Sequence, residues 1–253
     1  MGFAITSSSF ATPTTTIASS ANASYPAANI TLTTRPQRRW KATDVTTSTY
    51  VGLDLGAATV VVAVLIDNIN VASVKVQFHT ADSWGAPAVD SGALTVSADA
   101  RDGRYKLYYE PVAVNHRYMR VVSNTTSVTD DDTVMSVGGI TLVTAKTEWS
   151  QNLQPTERPE RRTLGGIDDS VALAVGSRYA VLTLSGQIIE TGQESTMMNL
   201  LGPAGEHTPL VYYENNAVTS RAYLCRRVGP VSFTQPGPNH FQLDSALTLR
   251  EYE

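Results

Sequence analysis

The residues of this 253-residue chain with the means to do chemistry are four histidines, one cysteine and a scatter of carboxylates. His79, His116, His207 and His240 stand apart from one another and from cysteine, without the HExxH or HxH spacing that sets two imidazoles on one metal. Cys225 lies inside AYLCRRV, a β-branched and aromatic run where a thiol packs as a small hydrophobe, and no GxSxG nucleophile elbow occurs. Glycoside hydrolysis needs a paired acid and nucleophile, and nothing in the sequence pairs Glu110, Glu148 and Glu206. Asp130, Asp131 and Asp132 in TDDDTV offer oxygen ligands for Ca²⁺, but six to eight are needed, so the run reads as a solvated turn, as do Asp168 and Asp169. A GxxxxGKS phosphate loop is missing. The expectation is a protein that is not an enzyme and carries no cofactor and no metal.

Residues suited to binding are easier to find. TTRPQRRWK gathers Arg35, Arg38, Arg39 and Lys41 around Trp40, a combination that grips phosphates or the acidic groups of a partner chain, with Trp40 itself expected in the core. ERPERR adds Arg158, Arg161 and Arg162, either a solvated linker or a contact to another subunit. Trp84, in HTADSWGAP, is the residue placed to stack on a sugar, the alternative being a partly buried loop anchor.

Composition narrows the classes. Hydrophobic residues make up 42% and charged residues 17%, which supports a packed core. A net charge of −4 argues against general nucleic-acid affinity, which needs a basic face. One cysteine rules out an intrachain disulfide. The longest apolar stretch, Val60 to Ile66, is too short for a membrane helix. MGFAITSSSF shows no basic region followed by an apolar run, so a soluble protein made in the cytoplasm is expected.

The elements that must position these residues are strands. YVGLDLG, TVVVAVLIDNIN and ASVKVQFHTA are β-branched runs bounded by Gly, Asp and Asn, and ALTVSA, RYKLYYEP, HRYMRVVSN and ITLVTAK continue the pattern. Alternation in SVKVQFHT puts Val74, Val76 and Phe78 on one face and Lys75, Gln77 and His79 on the other. Residues 1–24, rich in Ser, Thr and Ala, read as an arm or weakly ordered lead-in, able to order on a neighbouring subunit. A β-sandwich is expected over 25–145, a Pro-, Arg- and Glu-rich linker over 146–166, and a second β domain over 167–253. The second contains one predicted helix from Glu194 to Leu201, stopped by Gly202 and Pro203.

In order along the chain stand Tyr25–Pro26–Ala27, then Arg39 and Trp40, then Leu53–Asp54–Leu55–Gly56, later Arg117, Tyr118 and Arg120 in HRYMRVV, and GGITLV. Over about residues 18 to 145 this resembles discoidin-type (coagulation factor 5/8 C-terminal) domains. The resemblance implies an all-β, eight-stranded jelly-roll sandwich that binds glycans, lipids or proteins through loops at one end, without catalysis; the flanking cysteine pair and apolar loop spikes of the vertebrate members are missing. YPAANI with RPQRRWKA and YVGLDLG also looks like tailed-phage structural proteins, and the C-terminal half, from EWSQNL to LTLREYE, is similar to distal tail or baseplate proteins. That likeness implies a tail-tube-type β-barrel with one helix. It would form a ring of six or three copies between the tail tube and the baseplate hub or fibre proteins, in a virion tail tip. The alternative is a carbohydrate-binding module for a host-surface glycan. No nucleic-acid partner and no membrane insertion are expected.

Overall fold

Short β-branched runs between Gly, Asp and Asn turns fold here as antiparallel strands in two facing sheets, which a third covers. A computed structural model describes residues 3–7, 10–99, 104–112, 114–145, 147–149, 154–160, 179–185, 187–188, 209–213, 222–229, 233–237, 240–243 and 247–252. Apart from the 3-10 turn Ala27–Thr31, the regular elements of the described residues are all strands, and those of the front part form a jelly-roll sandwich.

The front sheet runs in the order Thr15–Ala18, Tyr50–Val61, Val114–Ser123, Ser73–His79, Val89–Asp90, and Leu94–Thr95 also pairs with Ser73–His79. The back sheet runs Gly139–Val143, Ala63–Asp67, Tyr105–Tyr109, Ser97–Ala98. Alternation decides which side chains meet between them. Val51, Leu53, Val74, Val76, Phe78, Met119 and Val121 point inward from the front sheet onto Val64, Ile66, Leu107, Ile140 and Leu142 of the back sheet. Each such side chain contributes about 1.5–3 kcal/mol through burial. Trp40 lies fully buried in this core, as expected, and its indole N–H donates to the Ser20 carbonyl at 3.0 Å.

The run from Val60 to Ile66 does not alternate, and the third layer explains it. Strand Ala63–Asp67 is buried along its whole length. Val64 and Ile66 face the sandwich core, while Ala63 and Leu65, with Tyr108 and Val143, pack against Val211, Tyr213, Ala222 and Leu224. Those four belong to a seven-stranded sheet ordered Thr147–Trp149, Phe3–Ser7, Leu210–Tyr213, Ala222–Val228, Leu247–Glu251, Tyr179–Ser185, Gln154–Glu160. Tyr108 stacks on Tyr213 across the boundary, ring centroids 4.5 Å apart.

Two segments take a different form from their expected one. Residues 1–24, expected as an arm, supply Phe3–Ser7 to the seven-stranded sheet and Thr15–Ala18 to the front sheet, so their extended backbone is paired within the chain. Residues 146–166, expected as a linker, contain Thr147–Trp149 and Gln154–Glu160. The latter occupies the end of the described strand order with Pro155 and Pro159 in it, the position where a strand tolerates a missing N–H. The helix expected over Glu194–Leu201 lies outside the described residues.

Candidate functional site

The outer face of the front sheet is set by the same alternation that builds the core. Across the three central strands, Arg120 is in register with Gly52 on one side and Gln77 on the other, and Tyr118 with Asp54 and His79. Gly52 is required there. A Cβ at this position would lie 2.1 Å from the Met119 carbonyl oxygen and 2.8 Å from the Arg120 Cα, both backbone atoms that cannot swing away. Strand Val114–Ser123 is bulged between His116 and Tyr118, which turns Arg117 onto the outer face as well.

Two arginines on this face are used differently. Arg117 forms a fork on Asp54, with Nε donating to Oδ1 at 2.7 Å and Nη2 to Oδ2 at 2.8 Å. That guanidinium, with the Gly56 N–H, holds the Asp54 carboxyl below its ordinary value against the opposing effect of burial. Arg120 donates through Nε to Gln77 Oε1 at 2.8 Å, and Gln77 in turn donates to Asp90 at 2.6 Å. Its guanidinium carbon lies 4.3 Å from the Trp84 ring centroid and 4.8 Å from that of Tyr50. Desolvation lowers the Arg120 pKa, with partial compensation from Tyr50, Asp82 and Asp90.

Trp84 arrives from the loop after strand Ser73–His79. Its indole N–H donates to Asp82 Oδ1 at 2.6 Å, and His79 meets the ring edge-on at a centroid distance of 6.1 Å. His79 Nδ1 accepts the Ala81 N–H at 2.9 Å, which leaves the imidazole proton on Nε2. Trp84, Tyr50, Tyr118, His79 and Arg120 are all half-buried, so the face is a partly covered platform of rings and polar groups.

The other candidate residues fall elsewhere. The basic run and the acidic run meet at one end of the sandwich. Arg39 pairs with Asp130 at 3.4 Å, and Lys41 pairs with Asp132 while lying over the Tyr25 ring at 4.9 Å. The Lys41 ammonium lowers the Asp132 pKa. Asp130 also accepts from Asn70 at 3.0 Å. Protein donors therefore occupy carboxylates that would otherwise ligate a cation, and no group of three or more His, Cys, Asp or Glu suited to a metal is found among the described residues. Arg35 and Arg38 are exposed on the turns before Trp40. The Arg158 side chain, and Arg161 and Arg162 entirely, lie outside the described residues. Cys225 is fully buried, and burial raises its thiol pKa well above the ordinary value.

Of the residues expected to bind, the structure brings Trp84 into a cluster with side chains that sequence reasoning had read as strand positions. Gln77 and His79 were legible as outward-facing. Nothing in the sequence joined them to Arg120 and Tyr50, which are brought beside them only by cross-strand register.

The family model described as the XRCC1 N terminal domain matches residues 10–96. Among solved structures, the chain is similar to the CBM32 of AlyQ in complex with 4,5-unsaturated mannuronic acid, at 15% identity and a TM-score of 0.43, covering 54% of this chain and 98% of that one. It is also similar to the lectin domain of lectinolysin complexed with Lewis B antigen, at 14% identity and 0.39, covering 52% and 92%. A Streptococcus pneumoniae fucose binding module, SpX-3, aligns at 9% identity and 0.41, covering 52% and 93%. No curated protein matches the chain in sequence.

Proposed function

We propose that this chain is a non-catalytic carbohydrate-binding protein that holds a glycan on the outer face of the front sheet. The observation that carries the reading is Trp84. Its ring is half-exposed, fixed by Asp82 through the indole N–H and by Arg120 against the ring, and the same guanidinium also lies over Tyr50. A sugar presents an apolar C–H face and a rim of hydroxyls, and a rigid aromatic plane bordered by hydrogen-bonding groups matches both. The test is a glycan array probed with the full chain and with Trp84→Ala. Saturable binding by the full chain, weakened at least tenfold in the variant, supports the reading; binding unchanged by the substitution refutes it.

The tail-tip ring subunit is the second reading, and one feature bears on it. A ring built by pairing strand edges needs open edges, and Thr147–Trp149 and Gln154–Glu160 end the described order of the seven-stranded sheet. Pro155 and Pro159, with the charges of TERPE, guard the second of these against further pairing. The Ser/Thr-rich arm, the other route to subunit exchange, pairs within its own chain. Mass measurement of the purified chain decides this reading: six- or threefold assembly supports it and a strict monomer sinks it.

A further inference from the structure

On the glycan-binding reading, we propose that the ligand is an acidic sugar whose carboxylate is received by Arg120. The charge of a fitting ligand depends on which hydrogen-bonding valences at the site are already used. Asp82 Oδ1 takes the Trp84 indole N–H. Asp90 takes Gln77 on one oxygen and the Gly92 N–H on the other, at 2.8 Å. Arg117 spends its fork on Asp54. Arg120 differs from all of these. Among the described residues only its Nε is hydrogen-bonded, to Gln77, and no carboxylate stands within ion-pair distance of it. The four N–H bonds of its two Nη atoms are left over. His79 adds a further donor, because its Nδ1 accepts from Ala81 and the proton sits on Nε2.

Donors are thus left open at the site, and one of them is a half-buried cation. This guanidinium is held partly out of water with Asp82 and Asp90 close enough to act on its charge but bonded to other donors, and a ligand carboxylate adds two parallel N–H···O bonds. Gln77, braced by Asp90, and the rings of Trp84 and Tyr50 fix the guanidinium, so little is lost in ordering it on binding. A neutral sugar offers hydroxyls alone, which cannot form that charge-assisted fork.

The experiment uses the full chain on an array that pairs each uronate- or sialate-bearing glycan with its carboxyl-reduced counterpart, repeated with Arg120→Gln, Arg120→Lys and Trp84→Ala. The expected result is at least tenfold tighter binding to acidic members, abolished in Arg120→Gln and largely lost in Arg120→Lys, which keeps the charge but not the fork. The readout is the ratio of acidic to reduced binding, which falls to parity in Arg120→Gln whatever affinity the reduced glycans keep, and an unchanged circular dichroism spectrum shows that the fold is intact. Equal binding of acidic and reduced members, still lost in Trp84→Ala, overturns the acidic class and keeps the glycan reading. Acidic preference unaltered by Arg120→Gln overturns the assignment of the carboxylate to this residue. Absence of binding to any glycan overturns both readings together.

Discussion

Glu251 links the two halves of the molecule, and its removal should be felt by both. Its carboxylate accepts from Lys106 and from Arg104, two residues of the sandwich, while Glu251 itself belongs to the seven-stranded sheet. Lys106 is 0% exposed and Glu251 2%. Arg104 is further held by Asp67 at 3.2 Å, Lys106 lies 4.4 Å from the Tyr223 ring centroid, and Tyr223 donates to Asp99. Glu251→Gln keeps the shape and deletes the charge, leaving two cations short of their shared counter-charge at a dry boundary. Breaking such a pair from one side costs about 3–5 kcal/mol. For a chain of this size 1 kcal/mol moves the melting temperature by about 2–4 °C, so a fall of roughly 6–20 °C is expected. That loss is a large part of a total stability of about 5–15 kcal/mol. Calorimetry and urea unfolding followed by both tryptophan fluorescence and far-ultraviolet circular dichroism are the assays. Lys106→Met with Glu251→Leu should recover much of the loss, since apolar groups of similar volume do not carry the desolvation cost. A change below about 2 °C in Glu251→Gln would refute the argument that this contact is buried and charged. Two separate transitions in the wild-type chain would refute the coupling of the layers.

Four further outcomes follow from named contacts. A variant ending at residue 145 exposes Leu65, Tyr108 and Val143, which the third layer covers, and should aggregate or bind a hydrophobic dye where the full chain does not. Gly52→Ala drives a methyl into the Met119 carbonyl and should cost about 1–3 kcal/mol or more, read as a lower melting temperature. Cys225 should resist Ellman's reagent in the native protein and react fully in denaturant, because its thiol is buried and held protonated. Asp54 has a lower pKa folded than its ordinary 3.8, so its pairing stabilises the fold above that pH and the contribution is lost as pH falls through the folded value. Arg117→Gln should therefore lower the melting temperature at pH 7, with the difference from wild type shrinking as the pH is taken below 3.8, and a difference that does not shrink on acidification would contradict the assignment.

The strand content of the front half was readable from β-branched runs and turn residues because each such run meets its burial requirement locally, by alternation. SVKVQFHT is the plain case: Val74, Val76 and Phe78 are buried as the period of two demands. Residues that broke the local pattern were harder to read. Phe3–Ser7 has no strong strand signal, and its place in a sheet depends on Leu210–Tyr213, about two hundred positions away. Gln154–Glu160 contains two prolines and reads as linker by composition, yet an edge position leaves their missing N–H groups without consequence.

Trp84 was legible as a candidate from its loop setting, and the charged runs were legible as charge. Their partners were not. Arg39 and Lys41, read as gripping phosphates or the acidic groups of a partner chain, meet the Asp130–Asp132 turn of their own chain, a pairing between residues 91 positions apart. By itself the sequence determined the period-two alternation, the turns, the buried Trp40 and the inert thiol, all of which follow from the character of a residue and its immediate neighbours. Only the tertiary structure decided that Arg120 stands between Gly52 and Gln77 beneath Trp84, and that Glu251 closes against Lys106. Cross-strand register and the stacking of a third layer are set by long-range packing, which no local pattern encodes.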